Sequence, residues 1–310
     1  MESLNRMAVE LVDEAIDFAD ELAIATHELD NGTTVLDFGH DTTGGIEAGL
    51  LLAEIQTAGL ATVQTRMGTV ADAPLTHIEL TTDRPALSLL CAQTAGWELG
   101  VEGYEALGSG PARALVADEE IFERVGYADE FDFGVLALEA DDPPTEAVAE
   151  RVADRTGVPT NGLFLAGVPT ASLVGSVTVA ARAAELASMR LADLGYDPLD
   201  IRSASADAPL PPVAGDETSA LARTTDALAY GGRVHLTVAE DSPRFADLPS
   251  IAADEYGTPF ETIFEDANWS FADLPEGLFA PAQVTVDVLG GPTHVHGATN
   301  PQLLADSFGL

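Results

Sequence analysis

Val168-Pro-Thr-Ala-Ser-Leu-Val-Gly-Ser-Val-Thr-Val-Ala-Ala-Arg-Ala-Ala-Glu-Leu-Ala-Ser-Met-Arg190 is the segment from which the architecture of this chain can be worked out. It follows the apolar run Leu163–Ala166, which is typical of a buried strand. A turn rich in proline, threonine and serine then leads into a helix of small residues, which we expect Gly195 to end. The segment therefore predicts a strand, a turn and one long helix.

Arg182 and Glu185 carry the only charges between Val168 and Ser188. In so acidic a chain, a helix this poor in charge is expected to be buried. The two side chains share one helix face, but arginine before glutamate is the weaker order for a surface ion pair. Two interpretations stay open: a buried pair that fixes packing, and a pair kept for chemistry despite the cost of desolvation.

The composition is that of a globular protein with an extreme charge. Of 310 residues, 46% are hydrophobic, 52 are acidic and 13 are basic, which gives a formal net charge of −39. Every basic residue is an arginine. Molar salt shortens the Debye length to about 3 Å, so this self-repulsion indicates adaptation to a high-salt cytoplasm. The charge argues against partners with phosphate surfaces, whether nucleic acid or anionic membrane.

The single cysteine, Cys91, excludes an intramolecular disulfide framework. It lies in the apolar run Leu87–Ala92 and is predicted to be a small core residue. No apolar run approaches the roughly 20 residues of a membrane span, and the N-terminus shows no signal peptide. We therefore expect a soluble, cytoplasmic protein.

Hydrophobic periodicity and turn residues predict helices and strands in irregular alternation. Helices are expected at 3–25, 46–55, 86–95 and 145–156, strands at 23–29, 33–38, 59–64, 77–81, 133–138, 163–166, 233–238 and 283–289, and a long loop at 203–220. This order favours an α/β (α+β) fold with mixed sheets over a doubly wound parallel sheet. A linker at 140–144 predicts two α/β domains, 1–140 and 145–310, with interleaving of the two left open.

Gly108-Ser109-Gly110-Pro111-Ala112-Arg113 is a second segment with recognisable chemistry. Two glycines permit close backbone approach to a ligand, and the proline suits the first turn of a helix. Free amides together with Arg113 would form an anion cradle, although the Gly-Lys-Thr/Ser ending of a Walker loop is missing. The alternative is a Gly-Pro turn with an exposed arginine.

His294-Val295-His296 places two imidazoles on one face of a strand, a geometry able to hold a metal ion. The sequence shows no third ligand beside them. Two surface histidines are the alternative, and we predict no metal site.

Nine motifs spread along essentially the whole chain agree, in order, with one known family. They are Asn31-Gly-Thr-Thr-Val35, Gly44-Gly-x-Glu47-Ala-Gly-Leu50, Gly59-Leu-Ala-Thr-Val63, the segment Gly108–Arg113, Pro169-Thr-Ala-Ser-x-Val-Gly-Ser176, Ala181-Arg182-x-x-Glu185, Tyr230-Gly-Gly232, Phe279-Ala-Pro-Ala282 and Ser307-Phe-Gly-Leu310. On these motifs the chain resembles the methenyltetrahydromethanopterin cyclohydrolase family.

The resemblance implies a cytoplasmic enzyme of archaeal and methylotrophic one-carbon metabolism, related to methanogenesis. It implies two α/β domains that enclose a coenzyme pocket, typically in a homotrimer, without metal or prosthetic group. The implied reaction is the reversible hydrolysis of 5,10-methenyltetrahydromethanopterin to the 5-formyl form. The pterin coenzyme is then the substrate, and no further cofactor is expected.

The same resemblance implies roles for individual residues. Glu185 is expected to orient and deprotonate the attacking water, and Arg182 to hold the Glu185 carboxylate. The implied substrate-binding residues are Gly108, Ser109, Gly110, Arg113, Thr170 and Ser172, with Arg113 gripping anionic parts of the coenzyme.

One departure from the family pattern leaves the substrate open. The family usually carries a lysine at the place of Thr94, so a tetrahydrofolate-type carrier is an alternative. A protein that binds a pterin or an anion without turnover is a further alternative.

Overall fold

A computed structural model describes residues 2–267 and 276–310. The chain divides into two compact units that interleave in sequence. Unit 1 comprises residues 1–62 and 86–178, and unit 2 comprises residues 63–85 and 179–310. These ranges differ from the expected split at 140–144, because the linker expected there lies inside unit 1.

The strands of the described residues form two six-stranded mixed sheets. In chain order they are β1 (Ala25–Glu28), β2 (Thr34–Asp37), β3 (Thr62–Val70), β4 (Ala73–Thr82), β5 (Trp97–Val101), β6 (Tyr104–Ser109), β7 (Gly134–Glu139), β8 (Leu163–Val168), β9 (Ile201–Pro209), β10 (Arg233–Val238), β11 (Gln283–Val288) and β12 (Thr293–Gly297). Sheet 1 has the order β1-β2-β8-β7-β6-β5, and sheet 2 has the order β12-β11-β10-β9-β4-β3. The α/β (α+β) prediction with two mixed sheets is confirmed.

Helices connect most of the strands. They are α1 (Leu4–Asp17), α2 (Ala19–Leu22), α3 (Ile46–Gln56), α4 (Arg113–Val116), α5 (Glu120–Val125), α6 (Glu146–Thr156), α7 (Leu173–Ala180), α8 (Ala183–Asp193), α9 (Glu217–Gly231), α10 (Phe260–Asp266) and α11 (Pro301–Phe308). Residues Ala86–Gln93 form a π-helix instead of the expected α-helix. In the described part of the chain, no helix has the length and apolarity needed to cross a bilayer.

Sheet 1 has a parallel centre, because β8 pairs in parallel with β2 on one side and with β7 on the other. Five of the six residues of β7 are buried, which indicates that both faces of this strand are covered. The contacting helices are α1, α3 and α6. Leu136 and Leu138 of β7 join Val148 and Val152 of α6 in one hydrophobic core.

Sheet 2 is antiparallel except between β10 and β11, and α8 and α9 pack against β9 and β10. The expectation of a loop over 203–220 is wrong, because β9 fills its first part and α9 its last. Ala204 and Ala208 of β9 are fully buried. Alanine is depleted in strands, so the sequence of β9 did not predict a strand. The small side chain of alanine lets α8 pack closely on the sheet.

The single helix expected after the turn is two helices, because α7 stops at Ala180 and α8 starts at Ala183. The amide of Arg182 donates to the Val179 carbonyl at 3.0 Å, a bond over three residues that tightens the chain at the break. The predicted end is confirmed: α8 stops at Asp193, and Gly195 follows with φ +85°, the left-handed conformation that glycine favours.

Candidate functional site

The three parallel strands of sheet 1 end at one edge of the sheet. Asp37 is the last residue of β2, Glu139 of β7 and Val168 of β8. The register pairs Asp37 with Gly167 and Glu139 with Val168, so the three strand ends lie side by side. Ligands of open α/β sheets bind at the carboxyl ends of parallel strands. This edge is therefore a candidate ligand site of unit 1.

Thr170 and Ser172, both predicted as substrate contacts, lie at this edge. Thr170 Oγ1 donates to Glu139 Oε1 at 2.5 Å. Ser172 Oγ donates to the Pro169 carbonyl at 2.7 Å and accepts from the Gly175 amide at 2.9 Å, so it caps the start of α7. Both residues are buried. The structure thus brings Thr170 and Ser172 together, with the Glu139 carboxylate beside them.

A buried carboxylate organises the loop after β2. Asp37 Oδ1 accepts from the amides of Gly39 and His40 at 2.9 and 2.7 Å, and Oδ2 accepts from the Asp41 amide at 2.9 Å. His40 Nε2 donates to the Ala140 carbonyl at 3.0 Å. Burial alone raises the pKa of Asp37, but the three amides outweigh it and hold this pKa below its usual value.

The pair singled out from the sequence lies in unit 2. Arg182 Nε is 3.1 Å from Glu185 Oε2, and the two side chains are 13% and 3% exposed. Arg182 occupies the N-cap position of α8 and Glu185 its first turn, where the helix dipole favours a carboxylate. The prediction of a buried pair is confirmed.

The segment Gly108–Arg113 does not lie beside Thr170. Because β6 is antiparallel to β7, the segment runs toward the amino end of β7, where the Ala112 amide donates to the Val135 carbonyl at 2.9 Å. Glu139 is four residues further along β7, about 13 Å at the rise of a strand. Within unit 1, the structure therefore separates Arg113 from the strand ends that carry Thr170.

The amides of this turn are used within unit 1, which corrects the expectation that they are free. The Gly110 amide donates to the Ala92 carbonyl at 2.8 Å. Arg113 is fully buried, where Nε and Nη2 bind Glu119 at 3.0 and 2.5 Å and Nη1 donates to the Ala92 carbonyl at 3.3 Å. Its guanidinium carbon lies 5.4 Å from the Phe122 ring centroid. Arg113 is thus neither exposed nor open to an anion, and it anchors the π-helix.

Gly108 and Ser109 belong to β6 itself. A Cβ on Gly108 would lie 3.2 Å from the Cβ of Trp97, on the neighbouring strand β5. Ser109 is 3% exposed, and its Oγ accepts from Gln56 Nε2 at 2.8 Å. Both residues are therefore packed inside unit 1, as parts of the sheet.

A cavity of about 480 Å³ lies on the face of sheet 2 opposite to α8 and α9. Asp207 lines it and binds Arg66, His77 Nδ1 at 2.9 Å and Arg233 Nε at 3.0 Å. Burial raises the pKa of Asp207, but these partners outweigh it and lower the pKa to about 2. A carboxylate so tightly engaged makes a poor general base.

The histidine pair near the C-terminus lies on β12. His294 Nε2 bonds to Asp241 Oδ1 at 2.8 Å, and the rings of His294 and His296 are stacked with centroids 6.1 Å apart. Among the residues that the structure describes, no group of three or more His, Cys, Asp and Glu side chains is arranged to hold a metal ion. The side chain of His294 is 30% exposed.

Three carboxylates of unit 1 were not identified from the sequence: Asp37, Glu119 and Glu139. Asp37 and Glu139 each lie at the end of a strand that was predicted from its apolar run. A carboxylate at the end of a predicted strand could therefore have identified both as candidate site residues. The sequence around Glu119 gave no such indication, because its ion pair with Arg113 forms only in the folded chain.

Comparison with known proteins covers the whole chain. A family model described as "Cyclohydrolase (MCH)" matches residues 3–308. Methenyltetrahydromethanopterin cyclohydrolase of Halobacterium salinarum is 58% identical over 310 residues, covering 100% of both chains. The proteins of that name from Methanospirillum hungatei and Methanoculleus marisnigri are 42% and 40% identical, each over 100% of this chain and at least 99% of their own length. The chain therefore belongs to the methenyltetrahydromethanopterin cyclohydrolase family.

Proposed function

We propose that this chain catalyses the reversible hydrolysis of 5,10-methenyltetrahydromethanopterin to 5-formyltetrahydromethanopterin. Family membership over residues 3–308 supports the reaction, and the full-length relatives carry its name. The structural observation that carries the mechanism is the buried Arg182–Glu185 pair. A haloarchaeal relative fits the salt adaptation indicated by the charge of −39.

The substrate supplies its own electrophile. The methenyl carbon is the centre of an amidinium cation, and Glu185 removes a proton from water as the oxygen bonds to that carbon. The bond from this carbon to N10 then breaks, N10 gains a proton, and the oxygen loses its second proton, which leaves a formyl group on N5. One water is consumed and one proton is released overall.

The placement of Glu185 suits this role. Arg182 holds Oε2 from one side, so the carboxylate enters the reaction already oriented. The first turn of α8 stabilises its negative charge, and that charge complements the cationic substrate.

We place the substrate contacts of unit 1 at Thr170 and Ser172, on the carboxyl edge of sheet 1. The contacts of Gly108–Arg113 support an indirect role for that segment. Gly110 and Arg113 both bind the Ala92 carbonyl, two residues before Thr94. They thereby anchor the end of the π-helix at the position where the family usually carries a lysine.

Thr94 is the observation that favours a second carrier. Its amide and its Oγ1 donate to the Leu89 carbonyl at 2.9 and 3.1 Å, so a short neutral side chain closes the π-helix. A lysine there would offer a cation to an anionic coenzyme tail, and threonine does not. A tetrahydrofolate-type coenzyme is therefore the alternative substrate.

We also propose that the protein is a homotrimer of the cytoplasm, as the family resemblance implies. Sedimentation equilibrium in molar KCl tests the assembly. Three times the mass of one chain supports the trimer, and the mass of one chain contradicts it.

The direct test is hydrolysis of the methenyl coenzyme by purified protein in multimolar KCl. Loss of the near-ultraviolet absorbance of methenyltetrahydromethanopterin supports the proposal, and a parallel assay with methenyltetrahydrofolate identifies the carrier. Tight binding without turnover would select the non-catalytic alternative. No absorbance loss at any salt concentration would contradict the proposed activity.

A further inference from the structure

We propose that Asp37 and His40 are positioning residues for the substrate. They fix the loop of residues 38–41 and thereby hold the carboxyl edge of sheet 1, with Thr170 and Ser172, in the geometry that receives the pterin. The inference rests on the proposed function and extends it to residues that act through Thr170 and Ser172.

The Asp37 carboxylate determines the course of the loop. Three consecutive amides, those of Gly39, His40 and Asp41, converge on its two oxygens within 2.7 to 2.9 Å. The Asp37 side chain is 6% exposed and that of His40 is 4% exposed. Hydrogen bonds to a charged carboxylate are stronger than neutral ones, so these three bonds restrain the backbone of the loop.

His40 connects this loop to β8 and to the end of β7. Its Nε2 donates to the carbonyl of Ala140, the residue after Glu139, at 3.0 Å. Its Cε1 lies 3.0 Å from the point where a Cβ on Gly167 of β8 would stand. The imidazole therefore packs on the β8 backbone and fixes the end of β7, where the partner of Thr170 is located.

The loop also contacts Ser172. A Cβ on Gly39 would lie 3.1 Å from the Cβ and 3.2 Å from the Oγ of Ser172, and Gly39 has φ +147°. The loop therefore packs closely against the turn that starts α7. A shift of the loop therefore displaces Ser172, one of the two substrate contacts proposed for unit 1.

Asp129 provides a matched control near the amino end of β7, away from the carboxyl ends of the parallel strands. Its Oδ2 accepts from the Asn5 amide at 2.9 Å, from Asn5 Nδ2 at 2.8 Å and from Ser3 Oγ at 3.0 Å. Asn5 in turn accepts from the amide of Val135, at the amino end of β7. Asp129 is thus a comparable carboxylate clamp, but it lies away from the strand ends that carry Thr170.

The test compares Asp37→Asn with Asp129→Asn. An asparagine at position 37 presents an NH2 group to the Asp41 amide, which then has no acceptor. We expect KM for the methenyl coenzyme to rise about tenfold or more, with kcat within about threefold of the parent. Asp129→Asn should lower the melting temperature and leave KM unchanged.

His40 gives a second, independent pair of variants in case Asp37→Asn does not fold. His40→Ala removes the donor to Ala140 and should raise KM, whereas His40→Gln keeps a donor and should restore at least part of the lost affinity. Unchanged KM in a folded Asp37→Asn or His40→Ala protein overturns the proposal, as does an equal rise in Asp129→Asn.

The same variants separate this inference from the proposed function. If the parent protein shows no turnover, the proposed function fails, and equilibrium binding of the methenyl coenzyme then tests the positioning role. Weaker binding in Asp37→Asn but not in Asp129→Asn supports it, and equal binding overturns it.

Discussion

Arg182 donates from Nε to Oε2 of Glu185 across 3.1 Å, immediately after the break that separates α7 from α8. The break gives the arginine an N-cap position and the glutamate a place in the first turn. A continuous helix would put neither residue at a helix terminus. The interruption therefore places the buried Glu185 carboxylate at a helix N-terminus, where the helix dipole favours its negative charge.

Glu185→Gln should reduce kcat by about 100-fold or more, because glutamine cannot take a proton from the attacking water. Asp226→Asn is the control, since it also neutralises a buried carboxyl of unit 2, and it should leave kcat unchanged. Turnover of each purified variant in molar KCl measures the difference. A loss below about threefold for Glu185→Gln, combined with a lower melting temperature, would assign the pair to packing alone.

Glu119→Gln should destabilise the protein by about 3 kcal/mol, because it removes the charge that compensates the fully buried Arg113 guanidinium. Asp118→Asn breaks a neighbouring ion pair, with Arg155, in which the aspartate side chain is 50% exposed. It should cost at most about 1 kcal/mol. Denaturant unfolding of both variants at one fixed KCl concentration measures the two costs, and equal costs would contradict a structural role for Arg113.

Asp226 should make stability depend on pH between about 4 and 7. Burial raises its pKa to about 6, assisted by Glu261 and opposed by the Ser307 hydroxyl and the Phe260 amide. The ordinary value is 3.8, so both folded and unfolded states hold the proton below about pH 4, and the folded state alone disfavours the charge above pH 6. The stabilising contribution is therefore present at low pH and lost as the pH rises through about 6.

Asp226→Asn should remove this pH dependence. Asparagine can still accept from the Phe260 amide and offers its NH2 group to Ser307, without a charge. At pH 8 the variant should be more stable than the parent by up to about 3 kcal/mol, and the two should converge near pH 4. Unfolding curves at several pH values measure the gap, and a gap that does not change with pH would refute the prediction.

Cys91 should resist alkylation in the folded protein. It is fully buried, and burial raises the pKa of its thiol to about 12, so the reactive thiolate is scarce at pH 8. Iodoacetamide labelling followed by mass spectrometry should show modification only in denaturant. Rapid labelling of the native protein would show that the π-helix opens easily.

Local signals predicted a good part of the fold. Asn31-Gly32 predicted a hairpin, and β1 pairs antiparallel with β2 around a Gly32 with φ +88°. The segment from Val168 to Ser188 contains no charged residue except Arg182 and Glu185, and this scarcity of charge predicted that the two side chains are buried. In both cases the information lies within a few residues and needs no knowledge of the rest of the chain.

Features that depend on distant partners could not be predicted in the same way. β9 resembles a loop because alanine, serine and aspartate rarely form strands, and it is a strand because β4 and β10 pair with it. The π-helix also depends on distant partners, because the Ala92 carbonyl accepts hydrogen bonds from the Gly110 amide and from Arg113 Nη1, which lie in a later turn. The break between α7 and α8, at Ala181, contains no glycine or proline from which it could have been predicted.

The interleaving of the two units has a consequence for biosynthesis. Residues 63–85 leave the ribosome early, yet they belong to unit 2, whose remaining residues start at 179. Thr81 of β4 hydrogen-bonds Ser205 of β9, which lies 124 positions later in the chain. The β3–β4 hairpin therefore has no neighbouring strand until β9 has been synthesised. Until then it presents an unpaired strand edge, which is a template for aggregation. Cutting the gene into two halves would leave each product without strands that its own sheet requires.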